Sequence, residues 1–229
     1  MGSLSPVKSV SIVVLLVAAL RCTAAREQPA TSSIRVDTAI VEEAFLTPFD
    51  TTDNVDSPAI YSGDSAVLVF ASAKTGDAVL AYNAATGALV RRVGSTGNGE
   101  GQLRRPNGLA VVDSVLFVVE RDNHRVQAFH LPSLRPIGTF GATELKNPYG
   151  IAWVRHGTHA WDVWVTDNYE TAEETVPPDR ELGQRVRQYL VQFGNGRITS
   201  TMVRALGDTV GDGVLRIVES IAPTRHITG

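Results

Sequence analysis

The sequence predicts an all-β protein, a β-propeller of four-stranded blades, and two observations lead to this prediction. The first is the alternation of short apolar runs, such as Val115 to Val119, with turn-forming residues, such as Thr96 to Gly99. The second is an internal repeat, because the segment from Pro106 to Val112 returns 42 residues later as Pro148 to Val154. A period in the forties with four strands in each unit is typical of propellers.

Weaker copies of the repeat precede and follow these two units. Residues 57–61 begin an earlier unit, and residues 218–222 begin a later one after an insertion near 170–185. The chain from residue 34 onward therefore holds about three units and the opening of a fourth, which predicts an incomplete ring. An unclosed ring exposes a sheet edge and favours self-association. Two alternatives remain open, namely a small ring closed by a strand near Ile34–Phe45 and a β-sandwich with long hairpins.

The N-terminus has the organisation of an export signal. Lys8 precedes an apolar run of eleven residues, Val10 to Leu20, and small residues follow from Cys22 to Ala25. The run is too short to span a bilayer as a helix, and no later apolar stretch is long enough. We expect a signal peptide at 1–25, a linker at 26–33 and the propeller domain at 34–229, in a protein exported to the periplasm or outside the cell. Lipid anchoring at Cys22 is an alternative that Arg21 disfavours, because a small residue is expected there.

The overall composition is that of an ordinary globular protein. Apolar residues make up 43% and charged residues 20% of the 229 residues, and the net charge is -3. No run of lysine and arginine appears, so nothing indicates a nucleic-acid partner. A single cysteine excludes an intrachain disulfide. The sequence also has no serine–histidine–acid order, glycine-rich phosphate loop or zinc-ligand spacing.

Six short segments, in the same order over residues 50–222, resemble the β-propeller phytase family. They are Asp53–Tyr61, Ala73–Gly76, Val119–Asp122, Pro148–Ala152, Val165–Asp167 followed by Gln188–Tyr189, and Glu219–Ala222. The resemblance implies a six-bladed propeller, of which this chain carries about three blades and the start of a fourth. It also implies calcium-dependent hydrolysis of the phosphate monoesters of phytate, myo-inositol hexakisphosphate.

The resemblance further implies which residues bind calcium. Calcium takes six to eight oxygen ligands from carboxylates, carbonyls and water, and bound calcium orients a phosphate and activates water. Asp56, Tyr149 and Glu219 are the ligand candidates, and Asp53 is a residue that could assist Asp56. The structural alternatives are a turn residue at Asp56, a core aromatic at Tyr149 and a surface pair between Glu219 and Arg216.

Lys74 and Arg121 are the candidates that bind the phosphate of the substrate. Each follows an equivalent strand at a polar corner, so both are expected to face the same end of the ring. Glu120 and Asp122 flank Arg121 and could position it. The alternative for both basic residues is a charge at a solvated turn.

Two departures weaken the phytase interpretation. No lysine occurs at residues 167–169, where the family has one, and Ser57 replaces the second aspartate of the opening motif. In addition, Arg105–Val111 and Asp122–Gln127 are similar to the consensus of NHL-type propellers, in which His124 is a structural residue. That similarity implies an alternative function, a non-catalytic propeller that binds a protein or ligand. An inactive phytase fragment is a further alternative.

Overall fold

The computed structural model describes residues 38–47, 51–64 and 66–223. Contacts divide the chain into residues 1–42 and residues 43–229, and all strands among the described residues belong to the second unit. The predicted signal peptide, the linker and Cys22 lie outside the described residues. Residues 38–45, which cover part of the proposed closing strand, form no strand. No helix in the described part of the chain has the length and apolar character needed to cross a membrane.

The first blade is an antiparallel meander of four strands. These are β1 (Val55–Ser62), β2 (Val67–Ala73), β3 (Ala78–Asn83) and β4 (Leu89–Val93), and they pair in sequence order. The pairing of β1 with β2 slips between Val55 and Pro58. A bulge suits this place because proline lacks the N–H that a regular ladder would need.

The second blade repeats this arrangement. Its strands are β5 (Pro106–Val112), β6 (Val115–Glu120), β7 (Arg125–His130) and β8 (Arg135–Phe140). A bulge again opens the first strand, after Pro106. The two residues between β5 and β6 include Asp113, whose φ of 50° matches the left-handed turns that join tight hairpins.

The third blade is longer and carries the insertion. Its strands are β9 (Pro148–Gly157), β10 (Ala160–Asp167), β11 (Val186–Gly194) and β12 (Arg197–Leu206). The connection from β10 to β11 contains a single turn of 3₁₀ helix, Asp179–Glu181, within the region where the insertion was located. An Asn195-Gly196 pair with positive φ at both residues makes the tight turn between β11 and β12.

The first strand of each blade lies beside the first strand of the next. β1 is next to β5, and β5 is next to β9. The same neighbour relation continues into residues 218–222, because the backbone of Glu219 and Ser220 lies against Gly150 as that of Tyr149 and Gly150 lies against Gly108. The prediction of an incomplete propeller of four-stranded blades is thus confirmed, and three separate sheets do not fit the two-sheet sandwich.

Two apolar layers join the blades, and β6 contributes to both. All six residues of β6 are buried. Val115, Phe117 and Val119 pack into the layer between blades two and three. Leu116 and Val118 alternate with them and pack into the layer between blades one and two. A strand buried on both faces reads as a continuous apolar run, which is why Val115 to Val119 shows no alternation in sequence.

Candidate functional site

We call the end of the blades at which their first strands begin the mouth. Because neighbouring strands are antiparallel, the start of each first strand lies beside the end of the second strand, as the pairs Val55–Ala73 and Pro148–Asp167 show. Lys74 and Arg121 directly follow the second strands β2 and β6. The register therefore places both basic residues at the same end of their blades as Asp56 and Tyr149.

Lys74 is the centre of the contacts at this mouth. Its Nζ donates a hydrogen bond of 2.8 Å to the Tyr149 hydroxyl and forms an ion pair with the Asp56 carboxylate. The ammonium also lies 5.0 Å from the centre of the Tyr149 ring, within cation–π range. The Lys74 side chain is 14% exposed, so these three contacts replace most of its hydration.

The charge of Lys74 is held firmly by its partners. Burial disfavours the charged ammonium, but the hydrogen bonds and charges of Asp56 and Tyr149 outweigh that effect and raise the pKa of Lys74 above its ordinary value of 10.5. Lys74 is therefore a cation at neutral pH, and the Asp56 carboxylate and the Tyr149 hydroxyl already bind it.

A polar cavity of about 250 Å³ brings four of the five predicted site residues together. Asp56, Lys74, Tyr149 and Glu219 all line it, although they come from blade one, blade three and the segment after β12. The fifth, Arg121, does not line this cavity. Its guanidinium lies 3.6 Å from Asp122 and 4.0 Å from Glu170, on the connection after β10.

Glu219 is an exposed residue held by its main chain. Its carbonyl oxygen accepts a 3.2 Å hydrogen bond from the Thr166 hydroxyl. The proposed surface pair with Arg216 is not formed, since Arg216 binds Asp179 at 2.6 Å. Glu219 lies in an apolar stretch of the sequence, where a buried carboxylate would need a metal ion or another partner. Because the residue is exposed, its carboxylate has little desolvation cost and needs no such partner.

Two acidic residues near the predicted site have structural roles instead. Asp53 is buried and binds the Arg92 guanidinium through two hydrogen bonds of 2.6 and 2.9 Å. Glu120 is fully buried and accepts hydrogen bonds from Arg125 at 2.7 Å and Gln127 at 3.1 Å. Its carboxylate is bound by these residues, whereas Arg121 contacts Asp122 and Glu170, so Glu120 is not a contact that positions Arg121. Burial raises the pKa of Glu120, although Arg125 and its other donors work against the rise.

The sequence did not reveal the residues that hold the segment carrying Glu219. Arg185 is fully buried and donates hydrogen bonds to the carbonyl oxygens of Leu215 at 3.0 Å and Arg216 at 2.6 Å. Asn168 accepts a bond of 3.2 Å from the Val218 N–H. These contacts fix the segment after β12 against blade three and so fix Glu219 at the mouth.

Asn107 occupies the position on β5 that Tyr149 occupies on β9. Asn107 is fully buried, and neither atom of its amide has a hydrogen-bond partner among the described residues. His124, by contrast, is engaged through its Nδ1 with the carbonyl oxygen of Lys146. That contact agrees with a structural role for His124.

The donor atoms at the mouth fit calcium in kind but not in number. Asp56, Tyr149 and Glu219 offer the carboxylate and hydroxyl oxygens that calcium takes, whereas its shell needs six to eight. No group of three histidine, cysteine, aspartate or glutamate side chains in the described residues is placed to hold a metal ion. The described side chains thus offer fewer oxygens than a complete calcium shell needs.

Comparisons with known proteins return structural similarity only. No protein-family model matches the chain, and no curated protein sequence does. Among solved structures, a 6-phosphogluconolactonase-like protein of Bacteroides uniformis is 13% identical with a TM-score of 0.45, over 67% of this chain and 42% of that protein. Hydrazine synthase of Kuenenia stuttgartiensis is 15% identical with a TM-score of 0.37, over 69% and 53%.

A catalytically inactive variant of virginiamycin B lyase from Staphylococcus aureus, solved with quinupristin, is similar at the same level. It is 13% identical with a TM-score of 0.39, over 67% of this chain and 57% of the lyase. The chain thus spans about half the length of these proteins. At TM-scores below 0.5, the similarities say nothing about what this chain binds.

Proposed function

We propose that this chain is a phytase-like propeller whose mouth binds a phosphate monoester and hydrolyses it with calcium. The observation that supports the proposal is the polar cavity in which Asp56, Lys74, Tyr149 and Glu219 meet. It combines a lysine ammonium, which attracts phosphate oxygens, with carboxylates, which attract a divalent cation. Phytate is the substrate that the sequence resemblance favours.

The residues of the chain would divide the work of binding between them. Lys74 would donate to a phosphate oxygen, and Arg121, at the same end of blade two, would bind a more distant oxygen of the polyphosphate. Asp56, Glu219 and Tyr149 would hold calcium, which when bound neutralises the ester and lowers the pKa of attacking water. Until calcium binds, Asp56 would keep Lys74 charged and oriented towards the cavity.

Phosphate release from phytate, measured with and without calcium, tests the proposal. We expect calcium-dependent release by the wild-type chain and a loss of about tenfold or more in kcat/KM for Lys74→Met, because a charge-assisted hydrogen bond to phosphate is removed. Arg180→Met is the matched control, since its side chain is 77% exposed and pairs with the exposed Glu181. Absence of calcium-dependent release by the wild-type chain would overturn the proposal.

A second candidate function is binding without catalysis. It is favoured by the small number of acidic ligands among the described residues and by the ion pair that already satisfies Asp56. Calorimetric titration with phytate separates the two functions. Binding without phosphate release at any calcium concentration would establish the binding propeller.

Export is part of the proposal as well. Residues 1–25, which carry the predicted signal, lie outside the described residues, so the support comes from their sequence alone. Calcium at extracellular concentrations would then be available to the mouth. Fractionation of cells that express the full chain, with mass spectrometry of the mature N-terminus, tests this location.

A further inference from the structure

The ammonium of Lys74 is held by anionic, hydroxyl and aromatic groups of the chain itself. Its surroundings are the Asp56 carboxylate, the Tyr149 hydroxyl at 2.8 Å and the face of the Tyr149 ring. Two of these groups are also two of the three candidate calcium ligands. The Oδ2 atom of Asp56 and the Tyr149 hydroxyl, two of the oxygens that a divalent ion would use at this mouth, are therefore already used by a cation of the chain itself.

A divalent ion and the Lys74 ammonium cannot share these oxygens without strong repulsion. Two positive charges a few ångströms apart repel each other, and the repulsion is greatest where water is scarce. The Lys74 side chain is 14% exposed and the Asp56 side chain 36% exposed, so water screens the pair only in part. A divalent ion that binds Asp56 therefore favours movement of the Lys74 ammonium away from this carboxylate.

Lys74 is the cation that is able to move. It stands at the corner directly after β2, and its four-carbon stem can turn about several bonds. A phosphate at the mouth offers the ammonium an alternative set of anionic oxygens. The Lys74 ammonium therefore has two sets of partners within reach, one on the protein and one on the ligand.

We propose that Lys74 is a built-in competitor of the divalent metal ion for Asp56 and Tyr149, and that phosphate binding removes this competition. The inference rests on the proposed function, because it concerns the same mouth and the same ligands. It adds that metal and phosphate bind cooperatively and that Lys74 couples them. By thermodynamic reciprocity, phosphate then tightens calcium binding by the same factor by which calcium tightens phosphate binding.

Calcium binding to the full chain, measured by equilibrium dialysis with and without methylphosphonate, tests this inference. Methylphosphonate carries a phosphate-like anion that hydrolysis cannot consume. In the wild-type chain we expect it to tighten calcium binding by about fivefold or more. In Lys74→Met we expect calcium to bind about tenfold more tightly without the phosphonate, and the phosphonate to have no further effect.

Arg121→Met is the matched control for simple electrostatics. It removes one positive charge from the same end of the propeller, but Arg121 pairs with Asp122 and Glu170 rather than with Asp56. We expect a smaller change in calcium affinity than in Lys74→Met. Addition of Asp56→Asn to Lys74→Met should abolish the gain, which assigns the binding to Asp56. Lys74→Gln serves as a second variant if Lys74→Met does not fold.

Several results would overturn the inference. They are an unchanged or weaker calcium affinity in both Lys74 variants, an equal gain in Arg121→Met, and the absence of calcium binding in every variant. The proposed function fails on a different result, the absence of phosphate release. Hydrolysis with no change in calcium affinity on loss of Lys74 would refute this inference alone, whereas calcium binding as expected without hydrolysis would refute only the activity.

Discussion

At the scale of single residues, the position of a side chain relative to the strand end decides its role. Glu120 is the last residue of β6 and shares the strand face of Leu116 and Val118, which point towards blade one. Arg121 comes one residue later and leaves the apolar layer. The sequence analysis predicted that both residues take part in the site, but Glu120 is buried and only Arg121 can contact a ligand.

Glu120 forms a buried polar cluster with Arg125 and Gln127, which lie in the NHL-like segment. Arg125 and Gln127 alternate along β7, so both side chains meet Glu120 on the same face. Asp167 has the equivalent place at the end of β10, where it accepts hydrogen bonds from the backbone of Lys146 and Asn147. The residues of the NHL-like pattern therefore belong to the polar contacts that join neighbouring blades.

We expect Glu120→Ala to destabilise the chain by about 3–5 kcal/mol, because it leaves the Arg125 guanidinium buried without its carboxylate partner. Urea unfolding at neutral pH measures the change. Asp122→Ala is the control, since its side chain is 49% exposed and its expected effect is within about 0.5 kcal/mol. Equal stability of the two variants would show that the Glu120 cluster contributes nothing to folding.

At the scale of elements, the strands could be predicted, but the anchoring of the last segment could not. Apolar runs, turn residues and the 42-residue repeat located all three blades, because each signal is local or periodic. The anchoring role of Arg185 could not be predicted, because its partners are main-chain carbonyl oxygens, which leave no pattern in the sequence. Four mouth residues were likewise named from a resemblance, and only the structure shows that Lys74 joins Asp56 to Tyr149.

We expect Arg185→Met to release the segment after β12 and to cost on the order of 3–5 kcal/mol, because several buried carbonyl oxygens lose their donor. Trypsin should then cleave after Arg216 much faster than in the wild-type chain, while urea unfolding measures the loss of stability. Arg180→Met, on the exposed part of the insertion, should leave both measurements unchanged. Unaltered cleavage after Arg216 in Arg185→Met would contradict the anchoring role.

A surface ion pair links blade two to blade three and should make their contact dependent on pH. Asp113, in the turn after β5, binds Arg155 of β9 through two bonds of 3.1 and 2.6 Å. The hydrogen bond from Arg155 holds the pKa of Asp113 below its ordinary value of 3.8. The unfolded chain consequently binds more protons in the window below 3.8, and the contribution of Asp113 to stability is lost as the pH falls through it.

Asp113→Asn is therefore expected to lower the urea midpoint at neutral pH and to have no effect once the pH lies below that window. The loss at neutral pH should be small, because both side chains are partly exposed and salt screens the pair. Parallel urea titrations of the wild-type chain and the variant across this pH range measure the difference. A difference that persists in strong acid would mean that Asp113 acts through packing rather than through its charge.

At the scale of the whole molecule, small residues set the distance between neighbouring blades. Equivalent places on the successive first strands hold Ser57, Gly108 and Gly150, and Ser220 takes the same place in the following segment. A Cβ at Gly108 would lie 2.6 Å from the Tyr149 carbonyl oxygen, and one at Gly150 would overlap the Glu219 carbonyl oxygen. Because backbone meets backbone here, a larger residue cannot be accommodated by turning a side chain.

This spacing connects the fold to the mouth, since Tyr149 and Glu219 are the residues whose backbone would be displaced. We expect Gly150→Ala to destabilise the chain by about 1–3 kcal/mol through overpacking. It should also weaken phosphate and calcium binding, because Glu219 would move away from Asp56 and Lys74. Urea unfolding and calcium dialysis measure the two effects on one protein preparation.

Gly194→Ala is the matched control for that substitution. Gly194 ends β11, has no atom within 4 Å of an added Cβ, and is not among the residues with positive φ. We expect its stability to stay within about 0.5 kcal/mol of the wild type and its calcium binding to be unchanged. If Gly150→Ala behaved like this control, the close packing of the first strands would not be what holds Glu219 at the mouth. The assembly of the site would then have to depend on the Arg185 and Asn168 anchors alone.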